Sequence, residues 1–328
     1  MRAFLSSIFL VVAASVAFSQ NQQSTFQVRN KVVVNNGDSQ LSKLILILPL
    51  AQSDEYQTVH SMVLYAGSVI GIPESNDKFV RWTMTDNLPS FGESIDVYYD
   101  FEVSLNQVEF DFNEVTTLFP YDTTSNEFLW YTGYSGNYVD PYNSSIQTIG
   151  DDIWQESSDI IDYARRCYEY VSANFLYQNS LTGIHPLEEV LLVGGGDCGN
   201  LTSVFVSLLR YKKIPSRHIV AVRPDGSYHI WADFYLQNYG WVPVDVTYKN
   251  SNPSGDYFGK YDGNGIVVSN DLWHLIDRGD GFQYYTGLMQ TYNWWYWYQG
   301  TGSSVSVSHL LSTTSGTGVD WMSTPASV

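Results

Sequence analysis

The segment GGGDCGNLTSVFVSLLR, residues 194–210, places a cysteine between a run of glycines and a repeating apolar pattern. Its apolar residues at 201, 204, 205, 208 and 209 follow the i, i+3, i+4 spacing of an amphipathic helix. Cys198 is therefore predicted at a helix N-terminus, where unpaired backbone N–H groups and the helix dipole favour a thiolate. Asp197 is predicted to cap this helix, although its charge opposes thiolate formation.

Two later segments supply an imidazole and a carboxylate. His229 begins the segment HIWAD, and Asp245 ends the segment GWVPVD. With Cys198 they give the order Cys, His, Asp, which indicates nucleophilic attack on a carbonyl group, with the imidazole as base and the carboxylate holding its tautomer. Each residue also has a structural interpretation: a buried thiol, a strand histidine, and a strand-end carboxylate that binds backbone amides. Because the three occur together, we predict Cys198, His229 and Asp245 as catalytic residues.

These segments make the chain similar to the transglutaminase-like superfamily, which is related to the papain-type cysteine proteases. The resemblance spans residues 150 to 250, and it rests on ordered segments, namely GDC (196–198), IPSR (214–217), HIWAD (229–233) and GWVPVD (240–245). It implies that Cys198 is the nucleophile, His229 the base and Asp245 the orienting acid. It also implies acyl transfer from an amide to an amine or to water. One departure is Lys213, where the family usually has glycine.

Strand and helix patterns predict an α+β fold with two domains. Residues 95, 97, 99, 101, 103 and 105 are apolar at every second position, as in a half-buried strand. We predict a signal peptide at 1–19, a β-sandwich domain with its connector at 20–148, and a transglutaminase-like catalytic domain at 149–328. The last is expected to combine helices with an antiparallel sheet and to end in a Ser-, Gly- and Thr-rich tail.

The N-terminal segment and the overall charge indicate where the protein is located and which partners it can bind. A charged residue followed by an apolar run and a small-residue cleavage site predicts export to the periplasm or the medium. The net charge of −18 and the pI near 4.4 argue against nucleic acid and anionic membranes as partners. No membrane span and no metal or organic cofactor are predicted. The expected partner is a protein or peptide substrate, with cell-wall peptide as one candidate. Cys167 is predicted to be a buried free thiol.

The predicted function is that of an exported cysteine enzyme that forms an acyl-enzyme from an amide. Hydrolysis by a peptidase or amidase is favoured over transfer to an amine, because water is the default acceptor. The alternative is a non-catalytic adhesion or carbohydrate-binding protein on the same fold. The aromatic residues 294–298 could stack on sugars, but strand packing is the preferred interpretation. Residues 262–265 indicate a tight turn rather than a calcium loop.

The spacing of His229 and Asp245 adds a geometric expectation. A tight hairpin centred on Tyr239 would place Asp245 opposite Asp233, about 13 Å along the strand from His229. A wider turn or a β-bulge is therefore predicted between the two strands, with Asp233 as the alternative partner of His229.

Overall fold

The computed structural model describes residues 24–38, 40–72, 75–178, 181–288, 294–302 and 304–315. The predicted signal peptide lies outside these residues. In the described part of the chain, no helix is both long and apolar enough to cross a bilayer.

The N-terminal part consists of strands whose side chains alternate between the core and the surface. In the first of them Val28, Val32 and Val34 are fully buried, as the period-two pattern requires. The strands among its described residues are β1 Ser24–Asn36, β2 Gln40–Leu50, β3 Gln57–Leu64, β4 Ser68–Gly71, β5 Lys78–Met84, β6 Ser94–Leu105 and β7 Val108–Glu109.

Helices dominate the middle of the chain, and an antiparallel sheet follows them. The helices are α1 Asn126–Tyr131, α2 Ser144–Gln155, α3 Ile160–Asn174, α4 Leu187–Val193, α5 Cys198–Tyr211 and α6 Val246–Ser251. The remaining strands are β8 Leu176–Tyr177, β9 Gly195–Gly196, β10 Ser216–Val222, β11 Tyr228–Leu236, β12 Gly240–Val244, β13 Lys260–Tyr261, β14 Ile266–Ser269, β15 Trp273–Asp277, β16 Gln283–Gly287, β17 Trp295–Thr301 and β18 Val305–Ser315.

Three four-stranded sheets organise these elements. The orders β18-β1-β6-β3 and β17-β2-β5-β4 form the two layers of the sandwich, and the order β12-β11-β10-β14 forms the sheet against which α5 packs. The predicted α+β class with an N-terminal sandwich is confirmed. The two cysteines are both free, buried thiols, and Cys167 lies inside α3.

The C-terminal segment differs from its prediction as a tail of the catalytic domain. Strand β17 pairs with β2, and β18 pairs with β1 over 11 residues, so both return to the sandwich. From Val305 to His309 the segment alternates serine with larger residues, which suits a strand with one polar face. The high serine and threonine content of this segment led to its prediction as a tail. The strand with which it pairs lies almost 300 residues earlier in the sequence, so no local pattern indicates the pairing.

The two halves also share one core. The larger of the two clusters of buried apolar residues in the described chain runs from Val28 to Leu311, although the change from strands to helices falls near the predicted boundary. Polar contacts reinforce the junction: the Tyr56 hydroxyl donates to Asp233, Arg217 binds both Glu55 and Asp233, and Gln57 bonds the backbone of Val267. The sandwich therefore packs against the sheet that contains His229 and stabilises it.

Candidate active site

Cys198 is the first residue of α5, as the apolar repeat predicts. The Asp197 side chain accepts a hydrogen bond from the Asn200 backbone N–H at 3.2 Å, so the predicted N-cap is present. The other carboxylate oxygen of Asp197 accepts from the Gly183 backbone N–H at 2.6 Å. These bonds fix the backbone that presents Cys198, whose side chain is only 1% exposed.

His229 and Asp245 are in direct contact, with Nε2 of the imidazole 2.5 Å from Oδ2 of the carboxylate. The predicted wide turn or bulge is absent from the pairing of β11 with β12, which runs in regular register from Leu236 opposite Gly240 to Ala232 opposite Val244. Extending that register places Asp245 opposite Trp231, so Asp245 and His229 are diagonal neighbours on one face. The turn is centred one residue earlier than expected, at Asn238, which has a positive φ of 68°.

Asp245 is held by the helix that follows it. Strand β12 ends at Val244, and Asp245 is the N-cap of α6. Its Oδ1 accepts from the backbone N–H groups of Thr247 at 3.0 Å and Tyr248 at 2.8 Å. One oxygen therefore anchors the carboxylate to the helix while the other contacts His229.

Asp233, the alternative partner, has a different role. It is fully buried and bonded to Tyr56 and Arg217, at the junction with the sandwich. The geometry thus selects Asp245 as the carboxylate beside His229.

Comparison with known proteins shows which family the central part of the chain resembles. Residues 147–246 match the family model of the transglutaminase-like superfamily. The chain contains a transglutaminase-like domain. An uncharacterized protein of Haemophilus influenzae is 27% identical over a region that covers 30% of this chain and 35% of that protein. The chain therefore spans about a third of the length of this curated relative.

One solved structure has the same overall fold as this chain. A candidate cysteine protease from Cytophaga hutchinsonii has a TM-score of 0.61 and 13% identity, and the match covers 94% of this chain and 95% of that one. The periplasmic domain of TgpA from Pseudomonas aeruginosa, with a TM-score of 0.38 and 12% identity, matches over 70% of this chain and 89% of its own. The first match establishes a shared fold; the second is too distant to add to it.

Aromatic rings hold the imidazole of the transglutaminase-like domain. The Tyr248 ring stacks on the His229 ring with centroids 4.7 Å apart and an interplanar angle of 15°, and Trp231 lies at 6.1 Å. Arg223 donates to the Tyr248 hydroxyl, which fixes the outer edge of that ring. Sequence reasoning missed Tyr248. The sequence does contain a signal for this residue. Tyr248 lies three residues after Asp245, and an N-cap side chain accepts a hydrogen bond from the backbone N–H at that position.

The electrostatics of Cys198 differ from the sequence expectation. Burial raises the pKa of the Cys198 thiol well above its ordinary value, and Asp197 raises it further. The backbone N–H groups of Ile230 and Gly199 act in the opposite direction but are outweighed. The thiol is therefore neutral at rest, and its proton must leave to a base. The Cys198 sulfur therefore lies beside Ile230, the residue of β11 that follows His229.

Asp197→Asn is expected to speed alkylation of Cys198 by iodoacetamide at pH 8. Burial raises the pKa of Asp197 to about 6, so the carboxylate is charged at that pH and opposes the thiolate. Asparagine keeps the cap but removes the charge. For each unit by which the thiol pKa falls, the rate should rise about threefold, because the tenfold gain in thiolate is partly offset by lower nucleophilicity.

The alkylation rate is measured by peptide mass spectrometry, which separates Cys198 from Cys167. Asp86→Asn, which removes an exposed carboxylate in a distant turn, serves as the control and should leave the rate unchanged. An unchanged rate in Asp197→Asn would show that Asp197 does not set the thiol pKa.

A cavity of about 290 Å³ adjoins His229 and Asp245. Its walls include Trp231, Tyr248 and Tyr261. Within the described ranges, no group of three or more His, Cys, Asp or Glu side chains is placed to hold a metal ion.

The two remaining predicted motifs have structural roles. Residues 262–265 form a bend with Gly263 at a φ of 73°. In the aromatic segment 294–298, Trp294 stacks on His309, Trp295 contacts Phe79, and Arg278 lies over the Trp297 ring. Strand packing thus accounts for these contacts of the aromatic segment.

Proposed function

We propose that this protein is an exported cysteine enzyme of transglutaminase-like type that forms an acyl-enzyme from an amide and hydrolyses it. The observation that carries the proposal is the 2.5 Å contact between His229 and Asp245, together with the backbone N–H of Ile230, the residue after His229, which bonds the Cys198 thiol. A buried thiol with a raised pKa is a poor nucleophile by itself. An oriented imidazole next to it supplies the base that such a thiol needs.

The reaction follows from this geometry. Because Asp245 holds Nε2 of His229, Nδ1 is the nitrogen left to take the thiol proton. The Cys198 sulfur then bonds to the amide carbonyl carbon, and the backbone N–H of Cys198 donates to the developing oxyanion. When the carbon–nitrogen bond breaks, His229 returns the proton to the departing amine, which leaves a thioester on Cys198.

Water completes the cycle. It loses a proton to His229 and attacks the thioester carbonyl, and the carbon–sulfur bond breaks to release a carboxylic acid and the Cys198 thiol. Hydrolysis is preferred to transfer because water is the default acceptor. The apolar run and cleavage site near the N-terminus support export, and a peptide outside the cytoplasm, such as a cell-wall peptide, is the substrate class proposed.

His229→Ala is expected to slow alkylation of Cys198 by iodoacetamide by about tenfold or more between pH 6 and 9. Without the imidazole, the thiol has no neighbouring base to take its proton. Peptide mass spectrometry follows Cys198 against time in the full chain. His60→Ala, at a histidine of β3 far from the site in sequence, is the matched control. Equal rates in wild type and His229→Ala would favour the non-catalytic binding protein.

A further inference from the structure

We propose that the cavity beside His229 binds the basic side chain of a lysine or arginine in the residue that follows the scissile amide of a peptide substrate. The inference rests on the proposed function and names the substrate class of the same site.

The charge of the cavity favours a cation. Its lining includes four carboxylates, Glu109, Asp245, Asp256 and Asp262, against the single ammonium group of Lys260. This excess of carboxylates repels an anionic substrate and attracts a cationic one.

Most of these charges are already matched. Lys260 pairs with Glu109 at 2.7 Å and Asp256 pairs with Arg165 at 3.2 Å, while both oxygens of Asp245 are occupied by hydrogen bonds to His229 and to backbone N–H groups of α6. Asp262 accepts from the neutral amide of Asn264 at 2.8 Å and forms no ion pair with a described residue. Partial burial raises the pKa of Asp262 above its ordinary value; Arg223 and His229 lower it in part, and Asp245 raises it. Asp262 is therefore the carboxylate available to an incoming cation.

The walls suit the rest of such a side chain. Trp231 and Tyr261 stack with centroids 4.4 Å apart, and Tyr248 and Tyr257 meet edge to face at 5.4 Å. Aromatic faces bind ammonium and guanidinium groups through cation–π attraction, and they also cover the methylene stem that carries the charge. A carboxylate beside aromatic walls thus matches a long side chain with a cationic end.

The position of the cavity assigns it to one side of the scissile bond. His229 and Asp245 line it, whereas Cys198 is not among its lining residues. In the proposed reaction, His229 returns a proton to the departing amine, so the leaving-group residue lies next to the imidazole. The basic side chain therefore belongs to that residue rather than to the acyl part.

One unused donor is consistent with a peptide ligand. Trp231 lines the cavity and is 2% exposed, and its indole Nε1 has no hydrogen-bond partner within the described chain. A buried donor without a partner is costly, and a backbone carbonyl of a peptide can accept from it.

The test compares two probes that differ by one charge. Nα-acetyl-lysine methylamide and Nα-acetyl-norleucine methylamide have unbranched side chains with the same number of carbons, which end in an ammonium group in lysine and in a methyl group in norleucine. The acetyl amide represents the scissile bond. Binding to the full-length Cys198→Ala protein is measured by isothermal titration calorimetry, so no turnover interferes. We expect the lysine probe to bind about tenfold more tightly, and added salt should weaken it while sparing the norleucine probe.

Asp262→Asn in the same background should reduce the tenfold preference to less than about threefold, whereas the control Asp86→Asn should keep it. Equal binding of the two probes, or a preference that survives Asp262→Asn, would overturn the assignment.

The results distinguish failure of the substrate class from failure of the proposed enzyme activity. If the protein shows no preference for the lysine probe but alkylation of Cys198 depends on His229, the proposed enzyme stands and the proposed substrate class is wrong. If the protein prefers the lysine probe but alkylation of Cys198 does not depend on His229, the cavity binds cations and the proposed enzyme activity is wrong.

Discussion

Cys198→Ala should lower the hydrolysis of any amide substrate by at least about four orders of magnitude. The methyl group cannot bond to the carbonyl carbon, so the acyl-enzyme cannot form, and the oxyanion donor alone leaves little rate enhancement. Turnover is measured as kcat/KM on the same peptide for both proteins. Cys167→Ala is the matched control, because it removes the other free, buried thiol, which lies inside α3 and outside the proposed triad. It should retain wild-type turnover.

The fold should survive this substitution. Cys198 contributes one buried sulfur to the core, and its loss costs on the order of 1 kcal/mol of the free energy of unfolding. Thermal unfolding of the full chain checks this, so that an inactive variant is not confused with an unfolded one. A folded Cys198→Ala protein with wild-type turnover would show that another residue is the nucleophile.

Asp245→Asn should lower kcat/KM by about three to four orders of magnitude with little change in stability. The asparagine side-chain oxygen can still accept from the N–H groups of Thr247 and Tyr248, so α6 keeps its cap. Its NH₂ group, however, would donate to Nε2 of His229. That bond favours the tautomer with the proton on Nδ1, which then cannot take the thiol proton.

A second variant separates the two roles of this carboxylate. Asp245→Ala should lose the same activity and, in addition, about 1 kcal/mol of stability, because the N-cap disappears with the carboxylate. Chemical denaturation measures the difference between the variants. Asp225→Asn, in the exposed turn before β11, is the control and should be active and stable. Wild-type turnover in Asp245→Asn would show that the contact with His229 is structural.

Several features could be predicted because they depend on neighbouring residues. The apolar repeat after Cys198 determines α5, and Asp197 caps it because the cap needs only the N–H groups of the next turn. The alternation from Ile95 to Leu105 determines β6 in the same way. The order of thiol, imidazole and carboxylate identified the candidate site, since the chemistry requires those groups.

Other features depend on residues far apart in sequence, so only the tertiary structure decided them. Strand β18 exists as a partner of β1, the contact of His229 with Asp245 follows from the register of β11 and β12, and Tyr248 meets the imidazole through the direction of α6. The raised pKa of Cys198 has the same origin. Helix position alone favours a thiolate, but the desolvation that outweighs it comes from packing, which a local pattern does not contain.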